Sequence, residues 1–129
     1  MTYPDARTVL AQAMTERELS QAVVDLARAL GWLVARWPTW RPTGTDPGVP
    51  DLLMLHGESA HPRWHAAYKP ARIIVAELKT EKGRLSAAQH AWLDVLADAA
   101  YESVERHNII VCVWRPSDLL SGRIEVDLH

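Results

Sequence analysis

Apolar residues recur every three to four positions between Thr15 and Leu30, at Leu19, Val23, Leu26, Ala27 and Leu30, and this spacing predicts a helix. Thr15 is placed to cap its start and Gly31 to close its end. Trp32 to Trp37 reads as a short strand, followed by a loop from Pro38 to Pro50 dense in Pro, Gly and Thr. Asp51 to His56 reads as a second strand, apolar at Leu52, Leu53, Met54 and Leu55, and Gly57 to Pro70 as polar and irregular. Arg72 to Lys79 is a third strand. Its run Ile73, Ile74, Val75, Ala76 is apolar at every position, which predicts cover on both faces. Glu81 to Arg84 form a turn containing Gly83. Ser86 to about Ala100 is a second long helix, with Ala88, Trp92, Val95, Leu96 and Ala99 as its apolar positions. Ile109 to Trp114 is a fourth strand, followed by Pro116 and a short helix opened by Ser117.

The predicted order is α-β-β-β-α-β. A strand, a helix and a buried apolar strand in succession imply a crossover between parallel neighbours. Strands one to three, joined by loops alone, are expected to be antiparallel. The expected fold is therefore α/β, or α+β under a stricter label: a mixed four-stranded sheet flanked by helices. A chain of 129 residues is one domain's worth and buries one core without staples, so 1–129 is taken as a single domain. A hydrophobic share of 48% and a charged share of 23% exclude a disordered tail, a collagenous chain and a coiled coil. The single Cys112 excludes an internal disulfide and a multi-cysteine zinc site, and reads as a small buried hydrophobe. No apolar stretch reaches the ~18 residues of a membrane span. The N-terminus lacks a basic region followed by an apolar core, so no signal peptide is expected and a reducing, cytoplasmic setting fits.

The net charge of -2 gives no sign of a nucleic-acid binder, which is usually basic. Local residues argue otherwise. Glu77 and Lys79 lie at the end of the strand expected to be central, two positions apart and so on one face, ~6.6 Å from each other along the chain. Ionisable groups on a covered face cost several kcal/mol unless paired or bound to something. An ion pair or a frayed strand end is the plain alternative. Asp51 follows Gly48-Val49-Pro50 where a loop enters the sheet; taken alone it reads as a turn residue. If strands two and three are antiparallel, however, the start of one lies beside the end of the other, and Asp51 joins Glu77 and Lys79. Two carboxylates and an amine converging there suit a hard divalent cation, magnesium above all. Glu18 lies three residues after Thr15, and Gln89 three after Ser86. Both pairs match the capping box, and both also suit a site at a helix start, with Glu18 over a metal and Gln89 on substrate or water.

Taken together, Glu18, Gly48-Val49-Pro50-Asp51, Glu77-Leu78-Lys79 and Gln89 resemble the PD-(D/E)xK nuclease superfamily. Val75-Ala76-Glu77-Leu78-Lys79, followed by Gly83, Leu85, Ser86, Gln89 and Trp92, looks like the core of a small stand-alone VRR-NUC domain, and the strand Ile109 to Trp114 with Arg115-Pro116-Ser117-Asp118 is similar to its ending. The resemblance implies a restriction-endonuclease-like core and a magnesium- or manganese-dependent endonuclease acting on DNA. Asp51, Glu77 and the Leu78 carbonyl would ligate the metal, Glu18 would support it, Lys79 would orient or activate water, and Gln89 would complete the site. It also implies a homodimer acting on branched DNA, in the manner of a Holliday junction resolvase. A flap, nick or restriction-type nuclease of the same fold, and a non-catalytic DNA-binding module, are the alternatives.

Lys82 and Arg84, directly after the Glu-x-Lys strand, are the preferred DNA contacts, with Arg36 and Arg41 flanking Trp40, and Arg63, Lys69 and Arg72, as further candidates. His61 and His65, with His56 nearby, have a zinc-like spacing but no evident fourth ligand. Trp92 is expected to pack the second helix on the sheet, while Trp32, Trp37 or Trp40 suits a dimer interface. With Glu18, Asp51 and Glu77 neutralised by metal, the remaining side chains carry a slight basic excess. DNA binding is therefore expected to strengthen when metal binds.

Overall fold

The computed structural model describes residues 2–36, 47–57, 71–102 and 108–129. Among them the chain forms α1 (Ala6–Ala13), α2 (Glu16–Ala29), β1 (Leu33–Arg36), β2 (Leu52–His56), β3 (Arg72–Leu78), α3 (Ala87–Glu102), β4 (Ile109–Trp114), α4 (Pro116–Leu120) and α5 (Arg123–Leu128). The sheet runs β1-β2-β3-β4. β1–β2 and β2–β3 are antiparallel and β3–β4 is parallel, the expected mixed arrangement.

Strand alternation divides the sheet into two unlike faces. On one, Leu52, Met54, Ile74, Ala76, Leu78 and Trp114 are buried against Leu19, Val23, Val24 and Ala27 of α2 and Ile124 and Leu128 of α5. On the other, Leu53, Leu55, Ile73, Val75, Val111 and Val113 are only half-buried. Both faces of β3 are covered as expected, the second less completely than the first. α3 is the helix on this second side, and its inward stripe is thin: Leu93 and Ala100 are buried, Gln89 and Leu96 half-buried.

That stripe corrects the expected role of Trp92. Positions 89, 93, 96 and 100 and positions 88, 92, 95 and 99 are both spaced for a helical face, and the first set faces inward. Trp92 is 40% exposed and Val95 67%, whereas Leu93 is 9% exposed. Trp32, a candidate for a dimer interface, is instead 3% exposed in the core. Its indole Nε1 donates to the Leu128 carbonyl at 3.0 Å. Arg72, a candidate DNA contact, stacks its guanidinium 5.1 Å from the Trp32 ring centre and donates to the Asp127 carbonyl at 2.7 Å. Both residues therefore fasten α5 to the sheet.

Two helices lie outside the expected order. α1 starts at the cap Asp5, whose Oδ1 accepts the Thr8 amide at 2.8 Å, and that bond lowers the Asp5 pKa. It packs on α4 yet buries Ala11 alone, with Val9 and Leu10 exposed, so its apolar pattern is too weak to mark a packed face. α5 is a short segment, below the length at which periodicity is informative. Cys112 behaves as the small hydrophobe expected: it packs against the core, and burial, then Asp127 and Asp118, push its thiol up to about 12.

Candidate active site

The site is assembled at one end of the sheet by the entry of β2, the exit of β3 and the start of α3. Gly48 has φ +91, and a Cβ there would lie 2.4 Å from the Ala88 carbonyl carbon. Only glycine combines that backbone conformation with so close an approach to the first turn of α3. Pro50 is buried next, and the chain then enters β2. The register Leu52↔Ala76 sets Asp51 beside Glu77 on the neighbouring strand. The Asp51 carboxylate is held by the Leu78 amide, which donates to Oδ2 at 2.8 Å.

Glu77 is 2% exposed, the one charged residue in the buried set among the described residues. Its Oε1 accepts the Gln89 side-chain amide at 2.7 Å. Its Oε2 is buried with no hydrogen-bond partner among the described residues. Burial raises the Glu77 pKa to about 8; the adjacent Asp51 charge adds to the rise, the Lys79 charge opposes it, and Glu16 adds a smaller push upward. Lys79 is half-buried just past the strand end, where its amide donates to the Trp114 carbonyl at 3.0 Å.

A lone pair of a buried carboxylate left without a donor is costly. A cation would relieve that cost and the repulsion from Asp51 together, so the donor set fits a hard divalent ion. Among the described residues no group of three or more His, Cys, Asp or Glu is arranged to hold a metal. An ion here would rest on two carboxylates, a carbonyl and water, a set that suits magnesium better than zinc.

The two capping boxes have different outcomes. Gln89 fills both readings at once. Its Oε1 accepts the Ser86 backbone amide at 2.8 Å, its own backbone amide donates to Ser86 Oγ at 3.1 Å, and its Nε2 is left for Glu77. Glu18 is exposed, and its Oε1 accepts the Thr15 amide at 3.3 Å and the Thr15 hydroxyl at 3.0 Å. The α2 carboxylate whose charge reaches Glu77 is Glu16, two residues earlier. Sequence reasoning did not single out Glu16, the other acidic residue in the first turn of α2.

Lys82 and Arg84 are exposed in the segment that follows β3. Arg36 is exposed on the edge strand opposite Leu52, on the α2 side, where its guanidinium donates to Gln21 at 3.3 Å. The His56 ring sits tilted against Trp32 at 5.1 Å. Trp37, Trp40, Arg41, His61, Arg63, His65 and Lys69 lie outside the described residues. No helix among the described residues is long and apolar enough to cross a membrane.

The family model described as VRR-NUC domain matches residues 3–113. No curated protein and no solved structure matches the chain.

Proposed function

The chain belongs to the VRR-NUC family of nuclease-type domains, and from that premise we propose that it is a magnesium- or manganese-dependent endonuclease that cuts branched DNA as a homodimer. The observation that carries the metal-dependent reading is Glu77, a buried carboxylate beside Asp51 with one oxygen unpartnered. In this reading Asp51, Glu77 and the Leu78 carbonyl hold the cation. Glu16 supplies the further negative charge from α2, in the role first assigned to Glu18, whose carboxylate is occupied at its own helix start.

The bound ion would neutralise phosphate charge, lower the pKa of its water and stabilise the leaving oxygen. The protein's own groups do the rest. Gln89 fixes one oxygen of Glu77 and leaves the other for the metal. Lys79 orients the attacking water and can exchange a proton at Nζ. Lys82 and Arg84, exposed past the same strand, bind flanking phosphates. The uncovered Trp92 and Val95 of α3 support the dimer, since apolar side chains of this size gain from a partner's cover. A two-fold enzyme matches a two-fold junction.

Labelled four-way junction, flap and linear duplex, each incubated with and without magnesium, test the reading. Junction cleavage that needs the metal and disappears in Glu77→Ala and Lys79→Ala is expected. No cleavage of any substrate with magnesium or manganese overturns the enzyme, and equal rates on duplex and junction overturn the branched preference. A 14.5 kDa species persisting in light scattering across a concentration series overturns the dimer.

A further inference from the structure

The β3–β4 ladder ends where the Lys79 amide meets the Trp114 carbonyl at 3.0 Å. The chain after β3 still has to be held, because Thr80 to Arg84 carry the exposed Lys82 and Arg84 beyond any strand partner. The residue after Trp114 takes over. Arg115 NH1 donates to the Thr80 carbonyl at 2.7 Å, the Gly83 carbonyl at 2.7 Å and the Glu81 carbonyl at 3.3 Å. The Thr80 carbonyl also accepts the Gly83 amide at 3.2 Å, so these four residues form one turn closed around a guanidinium.

Three carbonyl dipoles converging on one point repel one another unless a cation stands there. A permanently charged guanidinium supplies that cation at every working pH. The clamp is built from both sides. Asp118 Oδ2 accepts the Arg115 amide at 2.8 Å, and Glu81 Oε2 accepts the Ser117 amide at 3.0 Å, tying the turn back to the first turn of α4. The corner is compact at Gly83, where a Cβ would lie 2.7 Å from the side-chain Oγ1 of Thr80. These bonds fix the backbone of the turn from which the exposed Lys82 and Arg84 extend.

We propose that Arg115 is a positioning residue for nucleic-acid phosphate: it makes no contact with DNA itself and holds the Thr80–Gly83 turn so that Lys82 and Arg84 meet the backbone beside the Glu77 site as a preorganised pair. The proposal rests on the nuclease reading, and its content is energetic coupling. A basic side chain on a fixed turn gives its full charge contact, whereas one on a loosened turn must first be ordered and gives less.

The test is a double-mutant cycle on binding of a labelled four-way junction with calcium as the nonreactive ion, across a salt series. In the wild-type background, Lys82→Gln weakens binding and lowers the salt slope by about 1. Arg115→Gln alone is expected to weaken binding about tenfold, and in its background Lys82→Gln and Arg84→Gln become nearly silent. A purely structural Arg115 gives additive losses instead, and additivity overturns the proposal. If Arg115→Gln does not fold, the same cycle is read with Arg115→Lys, which keeps one cationic centre and restores part of the coupling. Wild-type protein that cuts DNA but shows additive cycles sinks this inference alone. Wild-type protein that neither binds nor cuts sinks it together with the nuclease reading.

Discussion

The starts of α2 and α3 carry the same motif and do different work. Thr15 with Glu18, and Ser86 with Gln89, each close a reciprocal capping box. At α2 the third residue's Oε1 bonds back to the cap, and Glu16 in the same turn adds only a small upward push to the Glu77 pKa. At α3 the third residue is an amide, with an acceptor for Ser86 and a donor left for Glu77. A carboxylate offers acceptors only, while an amide offers both, and a buried carboxylate needs the donor. The same local signature can thus be wholly structural or bridge structure and site, and the neighbour beyond the helix decides which.

The sharpest way to break this comparison is to truncate both third residues. Gln89→Ala is expected to slow cleavage tenfold to a hundredfold, roughly the loss seen when a partner that orients a ligand is removed. Glu18→Ala is expected to leave the rate within about twofold, since its bonds are those of a cap. Single-turnover rates at saturating magnesium decide this, and a large loss in Glu18→Ala would show that both helix starts serve the site.

Gly48 tests the α3 start next, because it brings the loop before β2 against the first turn of that helix. Gly48→Ala combines a positive φ with a Cβ 2.4 Å from the Ala88 carbonyl carbon. A loss of about 2 kcal/mol in chemical denaturation is expected, accompanied by weaker metal binding as Asp51 and Gln89 shift. Unchanged stability would mean that the loop yields freely and does not locate Asp51.

The pH response sharpens the contrast further. Burial and Asp51 raise the folded-state pKa of Glu77 from 4.5 to about 8. The folded protein therefore keeps a proton that the unfolded chain has released. In chelator, the contribution of this group is fully present below the lower value and is lost as pH rises toward the upper one. Denaturation midpoints taken between about pH 5 and about pH 9 should fall, and Glu77→Gln should flatten the trend. Magnesium should reverse it, because a bound cation favours the ionised carboxylate. A midpoint independent of pH in chelator would contradict the raised value.

The smallest effect belongs to the cap alone. Glu18→Ala should cost about 0.5–1 kcal/mol, measured by the same denaturation.

Much of this was legible in order along the chain. β4 was bounded at both ends, the other strands to within a residue or so where they are described, and the antiparallel and parallel pairings followed from what joins the strands. That pairing alone brought Asp51 beside Glu77, because antiparallel neighbours set the start of one strand against the end of the other. The rest depended on which surfaces meet. Periodicity pointed to the stripe with Trp92 on α3, and packing instead turned Leu93 inward. Composition offered Trp32 and Arg72 to partners, and the fold used them to hold α5. Two carboxylates in the first turn of α2 look alike in sequence, and only the folded arrangement shows that Glu18 bonds back to Thr15 while Glu16 adds a small upward push to the Glu77 pKa. Sequence sets local periodicity, capping and strand order because these are short-range properties of the chain. Which polar group loses its water, and which neighbour compensates it, is a long-range property that only the tertiary structure decides.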